Sequence, residues 1–216
     1  MTSHSKKSQK MHKPNRTTEK SRYSKPQTGS FRVIGGTWRS RRLTFPVIEG
    51  LRPTTGRVKE TVFNWLVAYL PDAKVLDLFA GSGALGIEAL SRGVKSVTFI
   101  EKDKQAAIAI FENYKLLSNT ENIEKYVVNI DALAWLSSFD KVPLNEKFDV
   151  VFVDPPFRKG IVNDCLGLLE QNNVVRKGSI VYLEREKEAH DIVIPTSWHL
   201  LKEKKAGQVS YQLYEV

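Results

Sequence analysis

The octapeptide Phe79-Ala80-Gly81-Ser82-Gly83-Ala84-Leu85-Gly86 constrains the fold of this chain more than any other segment. It follows an apolar run, KVLDLF over 74–79, and opens a stretch of helical character over 84–92. A complete G-x-G-x-x-G between a strand and a helix specifies a βα unit. The glycines permit a sharp turn and close backbone approach, and the helix N-terminus favours negative charge. The alternation then continues. SVTFIE (96–101), KYVVNI (125–130), FDVVFVD (148–154) and SIVYLE (179–184) read as strands. The stretches 103–117, 131–138 and 160–171 read as helices from their apolar spacing. Repeated βα units predict a parallel sheet covered on both faces. Two strands at 198–203 and 209–215, with no helix between them, predict an antiparallel edge.

Ahead of this alternation lies a different region. FRVIGG and RRLTF predict a β-hairpin over 31–45, and PVIEGLRPTT (46–55) a loop. Val58, Val62, Trp65, Leu66 and Tyr69 then recur at helical spacing up to Pro71. Residues 1–28 are Lys, Ser, Thr, Gln and Pro with almost nothing apolar, and read as a disordered basic tail. The expected division is therefore tail 1–28, hairpin and loop 29–55, and α/β domain 56–216.

Composition narrows the function classes. The 216 residues are 41% hydrophobic and 10% aromatic, which excludes bulk disorder. No stretch approaches the roughly 18 apolar residues of a spanning helix. The basic start MTSHSKKSQKMHK has no apolar run behind it and so does not read as a secretory signal. Cys165 stands alone, and His4, His12, His190 and His199 are scattered, so no zinc set is expected. A soluble, cytosolic, metal-independent monomer is the expectation. The net charge of +9 is uneven. Residues 1–30 hold eight Lys/Arg and one acid, 31–60 hold seven and two, and the remaining 156 hold 18 and 21. A basic segment on a near-neutral body points to a polyanion partner.

Residues around the glycine loop suggest a ligand. Glu101 ends the second strand twenty positions after Gly81, where an acid can accept both ribose hydroxyls of an adenosine. Asp77 lies inside the strand, where a dinucleotide site would be apolar. A carboxylate there suits the ammonium of S-adenosylmethionine, or braces the loop through backbone N–H groups. Asp131, before Ala132, either holds an adenine amine or caps the helix that follows. Phe79, Ala80, Gly83 and Lys102 complete the candidate cofactor set.

Asp154-Pro155-Pro156-Phe157 ends the fourth strand, at the carboxyl edge where open α/β sheets bind ligands. Two prolines fix φ and hold carbonyls outward in a rigid loop. The Asp154 carboxylate and the Pro155 carbonyl can each accept one N–H of an exocyclic amine, and Phe157 can stack on the base. Such an amine is a poor nucleophile because its lone pair is delocalised into the ring. Two acceptors favour a pyramidal, more reactive nitrogen, and Asp154 can take the released proton.

These residues resemble a class I S-adenosylmethionine-dependent amino methyltransferase. FRVIGGTWRSRRL, GLRPTTGRVKETVFNWL, VLDLFAGSGALGIEALSRG, VFVDPPFRKG and AGQVSYQLY together resemble the RsmD family of bacterial 16S ribosomal RNA guanine-N2 methyltransferases. The likeness runs from about Phe31 to Val216. It implies a Rossmann-like, seven-stranded, mostly parallel methyltransferase sheet over 56–216. It implies S-adenosylmethionine as cofactor and small-subunit ribosomal RNA, free or in the 30S particle, as partner. It also implies that Asp77, Phe79, Gly81 and Gly83 surround the methionine end, Glu101 the ribose, and Asp131 with Ala132 the adenine. Asp154 to Phe157 would form the catalytic loop. The long basic extension over 1–28 has no counterpart in that pattern. Arg32, Trp38, Arg39, Arg41 and Arg42 on the hairpin, with Arg52 and Arg57 around the next loop, are the expected RNA contacts. The tetrad also serves adenine-N6 and DNA methyltransferases, but the chain shows no separate target-recognition domain. A non-catalytic RNA-binding assembly factor would not need an intact tetrad. A nicotinamide oxidoreductase is disfavoured, because no Tyr-Lys or His-Asp hydride-transfer pair stands out.

Overall fold

Alternate residues of the central strands face different cores, the period of two that a sheet buried on both sides requires. In β3 (Lys74–Asp77), Val75 joins one apolar cluster and Leu76 the other. β6 (Phe148–Val153) repeats the split with Val150 and Phe152 against Val151 and Val153. The computed structural model describes Met1 and residues 28–48, 56–117, 124–138, 146–189 and 191–216. Most of the tail expected over 1–28, and the loop carrying Arg52, lie outside these residues.

The described elements run β1 (Thr28–Arg32), β2 (Arg42–Pro46), α1 (Gly56–Leu66), β3, α2 (Ala84–Ser91), β4 (Ser96–Glu101), α3 (Lys104–Leu116), β5 (Glu124–Asn129), α4 (Ala132–Ser137), β6, α5 (Val162–Gln171), β7 (Val175–Glu186), β8 (His199–Ala206) and β9 (Val209–Glu215). β1 and β2 form a separate antiparallel pair. The other seven strands form one sheet in the order β5-β4-β3-β6-β7-β9-β8. β5, β4, β3, β6 and β7 are parallel, and β9 runs antiparallel to both β7 and β8. The chain moves outward from β3 to β5, then returns to β6 on the other side of β3. The carboxyl edge at β3 and β6 is therefore the switch point where such sheets open a crevice. Residues of α1, α2, α3 and the hairpin share the first core, and residues of α4, α5 and Trp198 the second.

Where boundaries differ from expectation, local chemistry explains the difference. α1 stops at Leu66 rather than at Pro71. Tyr69 is left in a turn, 39% exposed, with its N–H donated to the Leu66 carbonyl at 2.8 Å. β7 begins at Val175, not 179, because Val175 pairs with Phe148 ahead of a register shift. The Ser179 hydroxyl braces that shift, accepting from Arg176 N–H at 2.9 Å and donating to the Phe148 carbonyl at 2.8 Å. The hairpin strands are not joined by a tight turn at Gly35-Gly36, as FRVIGG before RRLTF would suggest. Residues 33–41 make a longer excursion that docks on α2. Gly36 sits at φ 72°, and a Cβ there would lie 1.7 Å from the Ser91 carbonyl oxygen.

Candidate active site

The glycine loop takes the conformation its residues permit. Gly81 and Gly83 lie at φ 53° and 77°, and Gly83 precedes α2 as its N-cap. Gly86 is needed for packing: a Cβ there would fall 2.2 Å from the Phe99 ring of β4 and 3.0 Å from Asp77 Oδ2. α2 therefore lies directly against the sheet.

Asp77 ends β3 beneath this loop and is almost fully buried. Its Oδ2 accepts from the Gly86 N–H at 2.9 Å, so it braces the first turn of α2. Burial pushes its carboxyl up to about 7, against the pull of that hydrogen bond. Glu101 ends β4 and ties two loops together. Oε2 accepts from Gly81 N–H at 2.6 Å and Oε1 from Asp103 N–H at 2.7 Å. Each carboxylate oxygen can accept a second bond, so these contacts leave capacity for ribose hydroxyls. Burial raises the Glu101 pKa and the backbone hydrogen bonds oppose the rise. Ala80 donates its N–H to the Ile100 carbonyl at 3.0 Å, and Phe79 packs half-buried on the second core.

Asp131 caps α4. Its Oδ1 accepts from Leu133 N–H at 3.0 Å and Ala134 N–H at 3.2 Å. Its Oδ2 meets Lys102 Nζ at 3.1 Å. Of the two roles open to Asp131, the cap is the one present here, and its carboxylate remains half-exposed. Ala132 is buried as the first residue of α4.

The tetrad follows β6. Asp154 is half-buried, Pro155 buried and Pro156 exposed, and Phe157 is 41% exposed, an aromatic ring presented to solvent. Arg158 and Gly160 at φ 60° and 66° turn the chain back into α5. A cleft of about 390 Å³ lies between this loop and a wall made by Arg185 and Glu186 at the β7 end, Ala189 beyond it and Gln208 of the β8–β9 turn. Arg185 Nη1 holds that wall by donating to the Ala189 carbonyl at 2.7 Å. Among the described residues, no group of three or more His, Cys, Asp and Glu is placed to hold a metal ion.

Asp77, the glycine loop, Glu101, Asp131 and Asp154 are thus assembled along one carboxyl edge, from four adjacent parallel strands. The hairpin carries Arg32, Arg39, Arg41 and Arg42 exposed, and Arg57 is exposed at the start of α1. Trp38 differs from expectation. It is 6% exposed and belongs to the first core, because the loop that bears it docks on α2. A buried indole is not available to stack on RNA.

Two features lay outside the sequence reading. Glu88, on buried α2, accepts from Ile34 N–H and Gly35 N–H at 2.8 Å each, pairs with Lys59 at 3.3 Å and accepts from Arg92 Nε at 3.0 Å. Ser91 adds contacts to Gly35 and Trp38. The arginine-bearing hairpin is thereby clamped to the helix that the glycine loop opens. Its signal was an acid inside an otherwise apolar helix, GALGIEALS. The second is Glu184, a buried acid that follows the apolar run SIVYL, two residues before the end of β7.

Comparison with known proteins places the chain. Residues 31–215 match the model of a family described as Conserved hypothetical protein 95. Ribosomal RNA small subunit methyltransferase D of Escherichia coli K12 is 44% identical over 188 residues, covering 87% of this chain and 91% of that protein. The protein of the same name from Haemophilus influenzae is 46% identical over 189 residues, 87% of this chain and 94% of that one. The solved structure of the Escherichia coli protein yhhF superposes with a TM-score of 0.74 at 43% identity, covering 87% of this chain and 98% of that one.

Proposed function

The chain belongs to the Conserved hypothetical protein 95 family, and from that premise we infer a ribosomal RNA methyltransferase that methylates the exocyclic N2 of a guanine in small-subunit RNA, with S-adenosylmethionine as donor. The observation that carries this reading is the placement of the glycine loop with Glu101 on one side of the switch point and Asp154-Pro155-Pro156-Phe157 on the other.

The donor fits the residues present. The loop at Gly81 and Gly83 offers close backbone approach, Glu101 retains acceptor capacity for ribose, and Asp77 holds the loop and the first turn of α2 from beneath through the Gly86 N–H. Bound S-adenosylmethionine supplies a methyl group already activated on a sulfonium. The chain's own part is positioning, which converts a bimolecular encounter into an oriented one. The Asp154 carboxylate and Pro155 carbonyl accept the two amine hydrogens and keep the nitrogen lone pair off the ring. Phe157 stacks on the base face, worth about 1–3 kcal/mol by comparison with single-strand binders. With the methyl passing from sulfur to nitrogen and the sulfonium leaving as a neutral thioether, Asp154 would take the proton that the nitrogen sheds and pass it to solvent.

Arg32, Arg39, Arg41, Arg42 and Arg57 form the RNA-facing surface in this reading, with residues 56–216 as the catalytic unit. Replacing Asp154 tests it. Asp154→Ala is expected to abolish methyl transfer to ribosomal RNA while S-adenosylmethionine still binds. A variant methylating at the wild-type rate would remove Asp154 from the mechanism.

A further inference from the structure

β7 carries a buried acid beside the tetrad. In the parallel register of β6 and β7, Val153 pairs with Leu183, so Asp154 and Glu184 are the next positions along the two strands. Neighbouring strands lie about 4.8 Å apart, and side chains two apart share a face. Asp154 and Glu184 therefore share the face of Phe152 and Tyr182, whose rings meet edge-on at 6.1 Å. Asp154 acts electrostatically on the Tyr182 hydroxyl. Glu184 is 8% exposed. Its Oε2 accepts from the Tyr182 hydroxyl at 2.7 Å, and among the described residues no cation pairs with it. Burial raises its pKa, opposed by the tyrosine hydrogen bond. A buried carboxylate with one donor is expensive unless a second donor arrives.

We propose that Glu184 reads the target base, its Oε1 accepting the N1–H of guanine while Asp154 and the Pro155 carbonyl accept the N2 hydrogens. Guanine presents N1–H and N2–H₂ side by side, three donor hydrogens facing this edge. Adenine places an acceptor, N1, beside its amine. Against Glu184 that would oppose two acceptors in a desolvated site. Sites built on a hydrogen bond reject analogues that lack the donor far more strongly than apolar pockets reject a missing methylene. Glu184 is thus a specificity residue, deepening the guanine-N2 reading on which it rests.

The experiment uses the full chain, S-adenosylmethionine and small-subunit ribosomal RNA. Once the guanosine that the wild type methylates has been located by mass spectrometry, splint ligation places guanosine or 2-aminopurine riboside at that position. 2-Aminopurine keeps the 2-amino group and has an unprotonated N1. Wild type is expected to favour guanosine over 2-aminopurine by about tenfold to hundredfold, the effect expected of one hydrogen bond to a charged group. In Glu184→Gln the amide can turn to donate to N1, so the preference should shrink at least tenfold or invert, with cofactor affinity unchanged. Tyr182→Phe removes the one donor among the described residues that holds the carboxylate ionised and should shrink the preference without inverting it, whereas Glu184→Gln can invert it. A Glu184→Gln variant that loses rate equally on both bases would make Glu184 a brace and overturn the proposal. If that variant does not fold, the wild-type ratio decides alone, and a ratio near one overturns it. A wild type that methylates adenosine and not guanosine would remove the guanine-N2 reading itself, a separate and recognisable outcome.

Discussion

Among single residues, Asp154 carries the strongest expectation. A positioned acid or base typically contributes about 10²–10⁴-fold, so Asp154→Ala should lower kcat by at least about a hundredfold. The dissociation constant for S-adenosylmethionine, measured by calorimetry, should stay within about twofold, because the residues proposed to hold the cofactor lie on β3, β4 and the α4 N-terminus. Asp77 gives a pH test with a defined sign. Its carboxyl is held at about 7 in the folded chain against an ordinary value of 3.8. Between those values the folded chain keeps a proton that the unfolded chain has released, so this group makes stability fall as pH rises from about 4 to 7. Asp77→Asn keeps an acceptor for Gly86 N–H and removes the titration. In melting curves without ligand, the variant should lose part of that decline, and parallel wild-type and variant profiles would contradict the assignment. Both acids were legible in the sequence beside chemically informative motifs, Asp154 at the end of its apolar strand and Asp77 inside KVLDLF, whose strand the structure ends at Asp77. The choice between ligand and brace at Asp77 was not legible, because it depends on the orientation of one carboxylate oxygen toward Gly86.

At the scale of elements, the spacing of apolar residues located the βα units closely: β4 matches at both ends, and α4 differs by one residue at each end, where Asp131 and Ser138 are its caps. Periodicity reports which face is buried and not what covers it. The hairpin's attachment was therefore invisible, since its contacts to Glu88 and Ser91 join residues 53 to 56 positions apart. Likewise Trp38 sits among arginines in the sequence, and only the docked loop turns it inward. Glu88 is fully buried and Lys59 is 2% exposed. Removing one partner of such a pair costs about 3–5 kcal/mol, because the other charge is left uncompensated. Glu88→Ala should lower the unfolding free energy by that order in urea titration. Gly36→Ala should loosen the same contact by two routes, a positive φ and a Cβ against the Ser91 carbonyl. Hydrogen exchange should then rise at Ile34, Gly35 and Trp38 before it rises in β3 or β6. Uniform exchange across the sheet would show that the clamp is not a local unit.

For the whole molecule, the charge distribution gains a location. The excess falls in the first 60 residues, but Lys59 is internal and neutralised by Glu88, so the exposed cations described there are five arginines on the hairpin and the start of α1. They sit on a platform joined to α2, while the near-neutral remainder builds the sheet and its carboxyl-edge crevice. Replacing Arg32, Arg39, Arg41 and Arg42 with Gln should weaken RNA binding and reduce its salt slope by about one unit for each phosphate no longer neutralised. Cofactor affinity should not change, as these side chains lie on the exposed side of the hairpin. An unchanged slope in filter-binding assays would place the RNA elsewhere. The most direct measurement follows the transferred methyl group. Small-subunit ribosomal RNA from cells lacking this chain is incubated with isotopically labelled S-adenosylmethionine and either wild type or Asp154→Ala, then digested to nucleosides for mass spectrometry. The account predicts label in N2-methylguanosine at one site with wild type and none with the variant. Label in N6-methyladenosine, or undiminished N2-methylguanosine with the variant, would contradict it.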